Sequence, residues 1–445
     1  MSSLLRSSYS ARILLAFGVV LLAACGDSSN KIGSTIKGTR VSVIEQAKIL
    51  EAEPNLSSAK PNLPHMMVNF SWPQAGYASE HAMPYVELAP QPHILWKESI
   101  GEGSDSDFKL LAHPVVYHDT VFSLDSQGWV TAKNTKNGDT RWEFDSTPKD
   151  VDGKAIGGGL AIDGGTLYIT TGFGDVFALN AKSGAVKWRK ALLKPLRAAP
   201  TVADNRIYVV SIDNQLNTLN AETGDVLWHQ EGIVESATLM GASSPAVSGD
   251  SVIVAYNSGE IFALRPQNGR ASWNYSLATA TQVGALPAIA DIRGLPVVDH
   301  GRIYAVSHSG RMAAIEQRSG ERVWEADIGG IDTPVVSGDT VFVYGGDSQL
   351  MAVTRDSGRI MWVKTLAKHA DPSDKDSDRV VWAGPVLAGE RLWMVNSQGM
   401  LASFSPNDGA SVDNIDLGRP VYLSPIVADR TMYVTADDGT LIALK

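Results

Sequence analysis

The chain has 445 residues, 44% of them hydrophobic and 19% charged, with 41 Gly and 21 Pro. That is the composition of a globular protein rather than a disordered polymer or a collagen. One Cys excludes an internal disulfide and any multi-cysteine zinc or iron–sulfur centre within one chain. A net charge of −10 with no basic tract argues against nucleic acid as a partner.

The chain opens as an address. Arg6 and Arg12 make a basic start, and Ile13 to Leu22 is an uncharged apolar run. Ten apolar residues are half of the roughly 20 needed to span a bilayer. This is a signal-peptide plan over residues 1–24. The ending Leu22-Ala23-Ala24-Cys25 resembles the bacterial lipobox. That resemblance implies cleavage before Cys25 and lipid attached to its thiol; the alternative is an ordinary secretory signal with an incidental Cys. Cleavage removes two Arg and no acid, so the mature charge becomes −12. Gly26 follows Cys25 where the enterobacterial inner-membrane retention rule has Asp, so that rule implies an outer-membrane anchor facing the periplasm.

Residues 25–92 read as a lipid-anchored tether and adaptor. Ser28, Ser29, Asn30, Ser34 and Thr35 give a polar, flexible start. Thr39 to Ile44 alternates briefly as a candidate strand, and Pro54, Pro61 and Pro64 interrupt regular structure. Trp72 and Tyr77 are the residues expected to pin this segment to the body.

Residues 93–445 are a repeat. Gly-x-x-x-Trp recurs at Gly138/Trp142, Gly184/Trp188, Gly224/Trp228, Gly269/Trp273, Gly320/Trp324 and Gly358/Trp362. A seventh copy, Gly409/Asp413, has lost the Trp, and Trp96 matches the Trp end of an eighth. A second signature, Gly-x-Leu/Val/Ile-x-Ala-Leu or close to it, begins at Gly128, Gly174, Asn214, Gly259, Gly310, Ser348, Gly399 and Gly439. A third, Pro-x-Val, starts at Pro114, Pro200, Pro245, Pro296, Pro334, Pro385 and Pro425, with a degenerate copy at Leu160. Runs such as Ile207-Tyr208-Val209-Val210 have β chemistry. Each unit has the length of a four-stranded propeller blade. The expected fold is all-β: an eight-bladed propeller of four-stranded blades. The last unit ends after three strands, and His93 to Trp96 supplies the missing fourth, so N- and C-terminal strands close the ring in one blade. A seven-bladed ring with an accessory strand and two stacked sandwiches are the alternatives. Trp96, Trp142, Trp188, Trp228, Trp273, Trp324 and Trp362 are expected to fill the gaps between blades, each needing a partner for its indole N–H.

These repeats resemble the quinoprotein-alcohol-dehydrogenase-like, PQQ-repeat propellers over about residues 93–445. Joined to the lipobox, they are similar to the propeller lipoproteins of the outer-membrane β-barrel assembly (BAM) machinery. Ala198-Ala199-Pro200-Thr201-Val202, Asp213-Asn214-Gln215-Leu216, Ala290 to Val298 and Ser307 to Met312 look like the alphaproteobacterial branch. The resemblance implies a non-catalytic scaffold with no cofactor. Its implied partners are the periplasmic domains of a BamA-type β-barrel insertase and the other assembly lipoproteins, with unfolded outer-membrane proteins as further ligands. The family's partner surface lies on neighbouring loops of the middle blades. Two matches carry over, Leu239-Met240 before Pro245 and Asp291-Ile292-Arg293 before Pro296. Relatives have Leu-Arg at the first and Asp at both ends of the second, so charge differs at Met240 and Arg293. The partner-binding candidates are therefore Leu239, Met240, Asp291 and Arg293. The bland alternatives are packing under the blade for the first pair and a local salt bridge for the second.

An enzyme is the competing reading. Quinone-dependent dehydrogenases of this group resemble one another in a vicinal Cys-Cys pair and a Ca²⁺ set of Glu, Asn and Asp; this chain has one Cys, already assigned to lipid. No Gly-x-Ser-x-Gly, His-Glu-x-x-His, Walker or Gly-x-Gly-x-x-Gly motif is present, and the nine His are scattered. No catalytic, metal-binding or cofactor-binding residue is assigned. An envelope lipoprotein with another partner is the third reading.

Overall fold

The computed structural model describes residues 50–149, 153–235, 237–278 and 289–445. The leader 1–24, Cys25 and Thr39 to Ile44 lie outside the described residues. Within them, thirty-two strands form eight four-stranded antiparallel sheets. Blade 1 spans 115–145, blade 2 158–191, blade 3 201–231, blade 4 246–276, blade 5 297–326, blade 6 335–365 and blade 7 382–416. Blade 8 joins 426–444 to Ile94–Ser99. The architecture is the eight-bladed propeller that the repeats predict.

Burial explains the strand sequences. The first strand of each blade lies innermost, where first strands of neighbouring blades touch. The inner three strands are covered on both faces, so they read as unbroken apolar runs, as in Arg206–Val210. The outermost strand has one covered face and alternates, as in Val226–Glu231. Eight apolar clusters result, one between each pair of neighbours; Phe122, Leu124 and Val130 of blade 1, for example, meet Leu160, Ile169 and Leu179 of blade 2. Ring closure runs Trp96 opposite Ala443 and Ser99 opposite Thr440. His93 and Lys445 exchange two backbone hydrogen bonds of 2.9 Å beyond it.

The repeated Trp and Gly work across blades rather than within them. Each of the seven indole N–H groups donates to a carbonyl in the outer turn of the next blade. Trp96 reaches Thr135, Trp142 reaches Ala181, Trp188 reaches Ala221, and Trp228 reaches Pro266. Trp273 reaches Gln317, Trp324 reaches Arg355, and Trp362 reaches Pro406. All seven bonds measure 2.8–3.1 Å. The Gly of that next turn lies flat under the ring. The seven glycines have φ between 67° and 76°, and a Cβ on any of them would stand 2.5–3.0 Å from the indole. Seven Trp thus match seven Gly, each one blade ahead. Asp413 breaks the series because blade 8 has no outer turn: its outer strand comes from the other end of the chain.

Residues 62–88 wind once around the ring axis. The innermost strands present unpaired N–H groups to the axis, which buried backbone must satisfy. This strap supplies the acceptors. Val116 N–H donates to Trp72 O (2.9 Å), Ile162 to Pro73 O (2.7 Å), Val247 to Ser79 O (2.6 Å) and Val298 to Glu80 O (2.8 Å). Val202 N–H donates to Gln74 Oε1 at 2.9 Å. Gly389 donates to Val86 O and Asp429 to Asn69 O, in blades 7 and 8. Blade 6 is engaged by Asn62, whose N–H donates to Asp339 Oδ1 at 2.8 Å. Trp72 is buried and stacks edge-on against Tyr77, 5.4 Å between centroids. Among the described residues, the strap lines one end of the axial channel through Trp72, Gly76 and Met83, and the other end is open.

Candidate functional site

The open end carries the long connections from each outermost strand to the next innermost strand. Between blades 2 and 4 these connections display large apolar side chains. Leu193 is 86% exposed, with Ile233, Val234 and Met240 exposed beside it on the next connection. Such side chains are held out only if the backbone beneath is pinned. Asn214, buried in its turn, donates to Ile233 O and to Asn257 Oδ1. Lys194 pairs with Asp213 at 3.2 Å.

The structure brings the two partner-binding motifs together. Leu239 N–H donates to Asp291 Oδ2 at 2.8 Å, across two neighbouring connections. Asp291 is 3% exposed, and its backbone carbonyl accepts from His308 N–H at 2.9 Å. Burial pushes its carboxyl above the usual carboxylate range, opposed by the Leu239 N–H and the Arg293 charge. Asp291 therefore holds the connection that presents half-buried Leu239 and exposed Met240. Arg293 packs on Gly241, where a Cβ would lie 3.3 Å from its Nε, and then turns toward the axis.

Beneath the rim lies an axial cavity whose interior of about 120 Å³ is open to water. Its floor is the strap, through Trp72, Gly76 and Met83. Its wall is the tripeptide before the repeat Pro of each blade: Arg197-Ala198-Ala199, Arg293-Gly294-Leu295 and Ile331-Asp332-Thr333 among them. Among the described residues, Arg197 Nε and Asp332 Oδ2 are buried without a hydrogen-bond partner. Burial raises the Asp332 carboxyl to about 7, with Arg293 pulling it down. Burial and the Arg293 charge lower the His113 imidazole to about 4, so it is neutral at pH 7, and its Nε2 lies 3.2 Å from Ser424 Oγ. Motif spacing does not single out Arg197, Asp332 or His113. The signal is their offset of one to three residues from Pro200, Pro334 and Pro114.

Three comparisons bear on this geometry. The family model described as outer membrane protein assembly factor BamB matches residues 126–364. The outer membrane protein assembly factor BamB of Salmonella typhimurium is 28% identical over 367 residues, covering 81% of this chain and 91% of that protein. The crystal structure of BamB from Moraxella catarrhalis superposes with a TM-score of 0.68 at 18% identity, covering 80% of this chain and all of that one. Quinohemoprotein alcohol dehydrogenase from Comamonas testosteroni shares the fold at a TM-score of 0.63 and 13% identity, covering 84% of this chain and 80% of that one.

Proposed function

Because this chain belongs to the BamB family of outer membrane protein assembly factors, we propose that it is a non-catalytic scaffold of the β-barrel assembly machinery. Cys25 carries its lipid anchor in the outer membrane, with the propeller in the periplasm. The partner is the periplasmic part of the β-barrel insertase. The observation that carries this reading is the apolar rim of Leu193, Ile233, Val234 and Met240 on two successive connections. Contiguous exposed apolar side chains on a pinned backbone mark a protein-binding surface. Leu239 is the anchor, Asp291 its holder, and Met240 an adaptable contact.

The dehydrogenase reading fits these residues poorly. Among the described residues, the axial cavity where a quinone and its Ca²⁺ would sit offers one carboxylate, Asp332, and no Cys. That set does not match the Ca²⁺ ligands and paired Cys of those enzymes, and no reaction step is assigned through such a group.

Leu239→Asp and Ile233→Asp are expected to cut co-purification of the insertase from detergent-solubilised membranes by about tenfold or more. Their melting temperatures should stay within a few degrees of the parent. Normal recovery by both variants would remove the rim from the docking surface.

A further inference from the structure

The axial cavity is separate in chemistry from the apolar rim. It is blind, because the strap forms its floor, and it opens on the same face as the rim. Two guanidinium groups come from the same repeat position, three residues before Pro200 and Pro296. Blade 4 lies between them and contributes Ala242 at that position, which leaves space rather than a third side chain. Asp332 stands two residues before Pro334 in the adjoining blade 6.

Two buried polar atoms at this site lack partners among the described residues. Arg197 Nε is a donor with no acceptor, and Asp332 Oδ2 an acceptor with no donor. Leaving such a group unpaired is costly, so each is an incentive to bind its complement. Asp291, the other carboxylate near Arg293, is already committed to Leu239 N–H. Ser244 Oγ is likewise engaged, donating to Ala199 O at 2.8 Å.

We propose that this axial cup binds a small carboxylate bearing a hydroxyl or ammonium donor, with Arg197 and Arg293 holding the carboxylate and Asp332 accepting from the donor. A guanidinium pair suits a carboxylate because each offers paired N–H groups in one plane. An interior of about 120 Å³ takes about four water molecules at ~30 Å³ each, which is the size class of a small hydroxy or amino acid. Failure of this binding would leave the scaffold reading standing, because the cup shares none of the exposed apolar side chains of the rim.

L-malate is the probe and uncharged malamide its control, titrated into the full lipidated chain in detergent micelles. Calorimetry and saturation-transfer NMR are the readouts. Malate should bind saturably and malamide about tenfold more weakly or not at all. Arg197→Gln and Arg293→Gln should each weaken malate about tenfold, and Arg293→Lys should recover part of the loss. Asp332→Asn should narrow the preference for malate over its dehydroxylated analogue succinate. Circular dichroism on each variant separates loss of the site from loss of the fold. Equal binding of malate and malamide, unchanged binding in both Arg→Gln variants while folded, or no saturable binding of malate by about 10 mM would each overturn the proposal.

Discussion

At the scale of single residues, the Trp–Gly contact is the unit that repeats. The indole fills the step between two blades and hands its N–H to the neighbour's turn, while Gly supplies both a left-handed φ and the absence of a Cβ. Both requirements act at Gly320, where φ is 76° and a Cβ would meet the Trp273 ring at 2.6 Å. Gly320→Ala should therefore cost about 2–4 kcal/mol in urea unfolding, from left-handed strain plus overpacking. Gly418 has a similar φ of 74° with nothing near a Cβ, so Gly418→Ala should cost only the strain, about 1–2 kcal/mol. Equal losses in the two variants would show that the ring contact contributes nothing. Asp291 teaches a related lesson. As a charged residue in a connection it reads as a surface contact or half of a salt bridge, yet it is buried and holds Leu239 by the backbone.

At the scale of elements, the strap between residues 62 and 88 is the least regular part of the described chain and among the most engaged. It forms no long strand, only isolated bridges such as Trp72 to Val116 and Val86 to Ala388. It nevertheless bonds to each blade. His81 sits in it fully buried, its Nδ1 2.9 Å from Pro296 O and its Nε2 without a partner. Burial lowers this imidazole to about 4, against an ordinary value of 6.5, with the Pro296 carbonyl acting in the other direction. The unfolded chain then binds more protons than the folded one between pH 6.5 and 4. Stability attributable to His81 is complete above 6.5 and falls as pH drops toward 4. His113 acts with the same sign, and Asp332, raised to about 7, with the opposite sign between about 7 and 3.8. Urea unfolding across this range should show stability falling on acidification, less steeply in His81→Phe and more steeply in Asp332→Asn. A parent profile that is flat from pH 6.5 to 4.5, with both variants unchanged from it, would contradict the burial of His81.

At the scale of the whole molecule, closure explains the one irregularity in the repeat. Blade 8 takes its outer strand from Ile94–Ser99 and so has no outer turn facing blade 7. A Trp at 413 would have neither a Gly to lie on nor a turn carbonyl to bond. Asp413 instead lies 3.7 Å from Arg391, with its side chain 42% exposed. Asp413→Trp should therefore leave the unfolding free energy within about 0.5 kcal/mol of the parent. A gain of 2 kcal/mol or more, on the order of a filled core position, would mean that closure supplies a Trp site after all.

The sequence by itself determines the number of blades, the closure of the ring and the Trp positions, because those follow from periods and offsets carried along the chain. Strand alternation is set over two residues, and the blade by signatures that recur every few dozen. The direction of the Trp–Gly contact was not legible: Gly138 and Trp142 are neighbours in sequence, but each packs on a different blade. The candidate site was legible in part. Leu239 and Asp291 are visible as motif positions, yet only the ring puts the hydrogen bond between them. Leu193 and Ile233 look like any apolar residue in a loop until their exposure is known. The axial cup was decided wholly by tertiary structure. Arg197, Arg293 and Asp332 lie far apart in sequence and meet because the ring brings the residues just before the repeat Pro of each blade to one axis. The strap's path was decided there too, since no local pattern encodes a partner that consists of backbone N–H groups from seven separate blades and a carboxylate from the eighth.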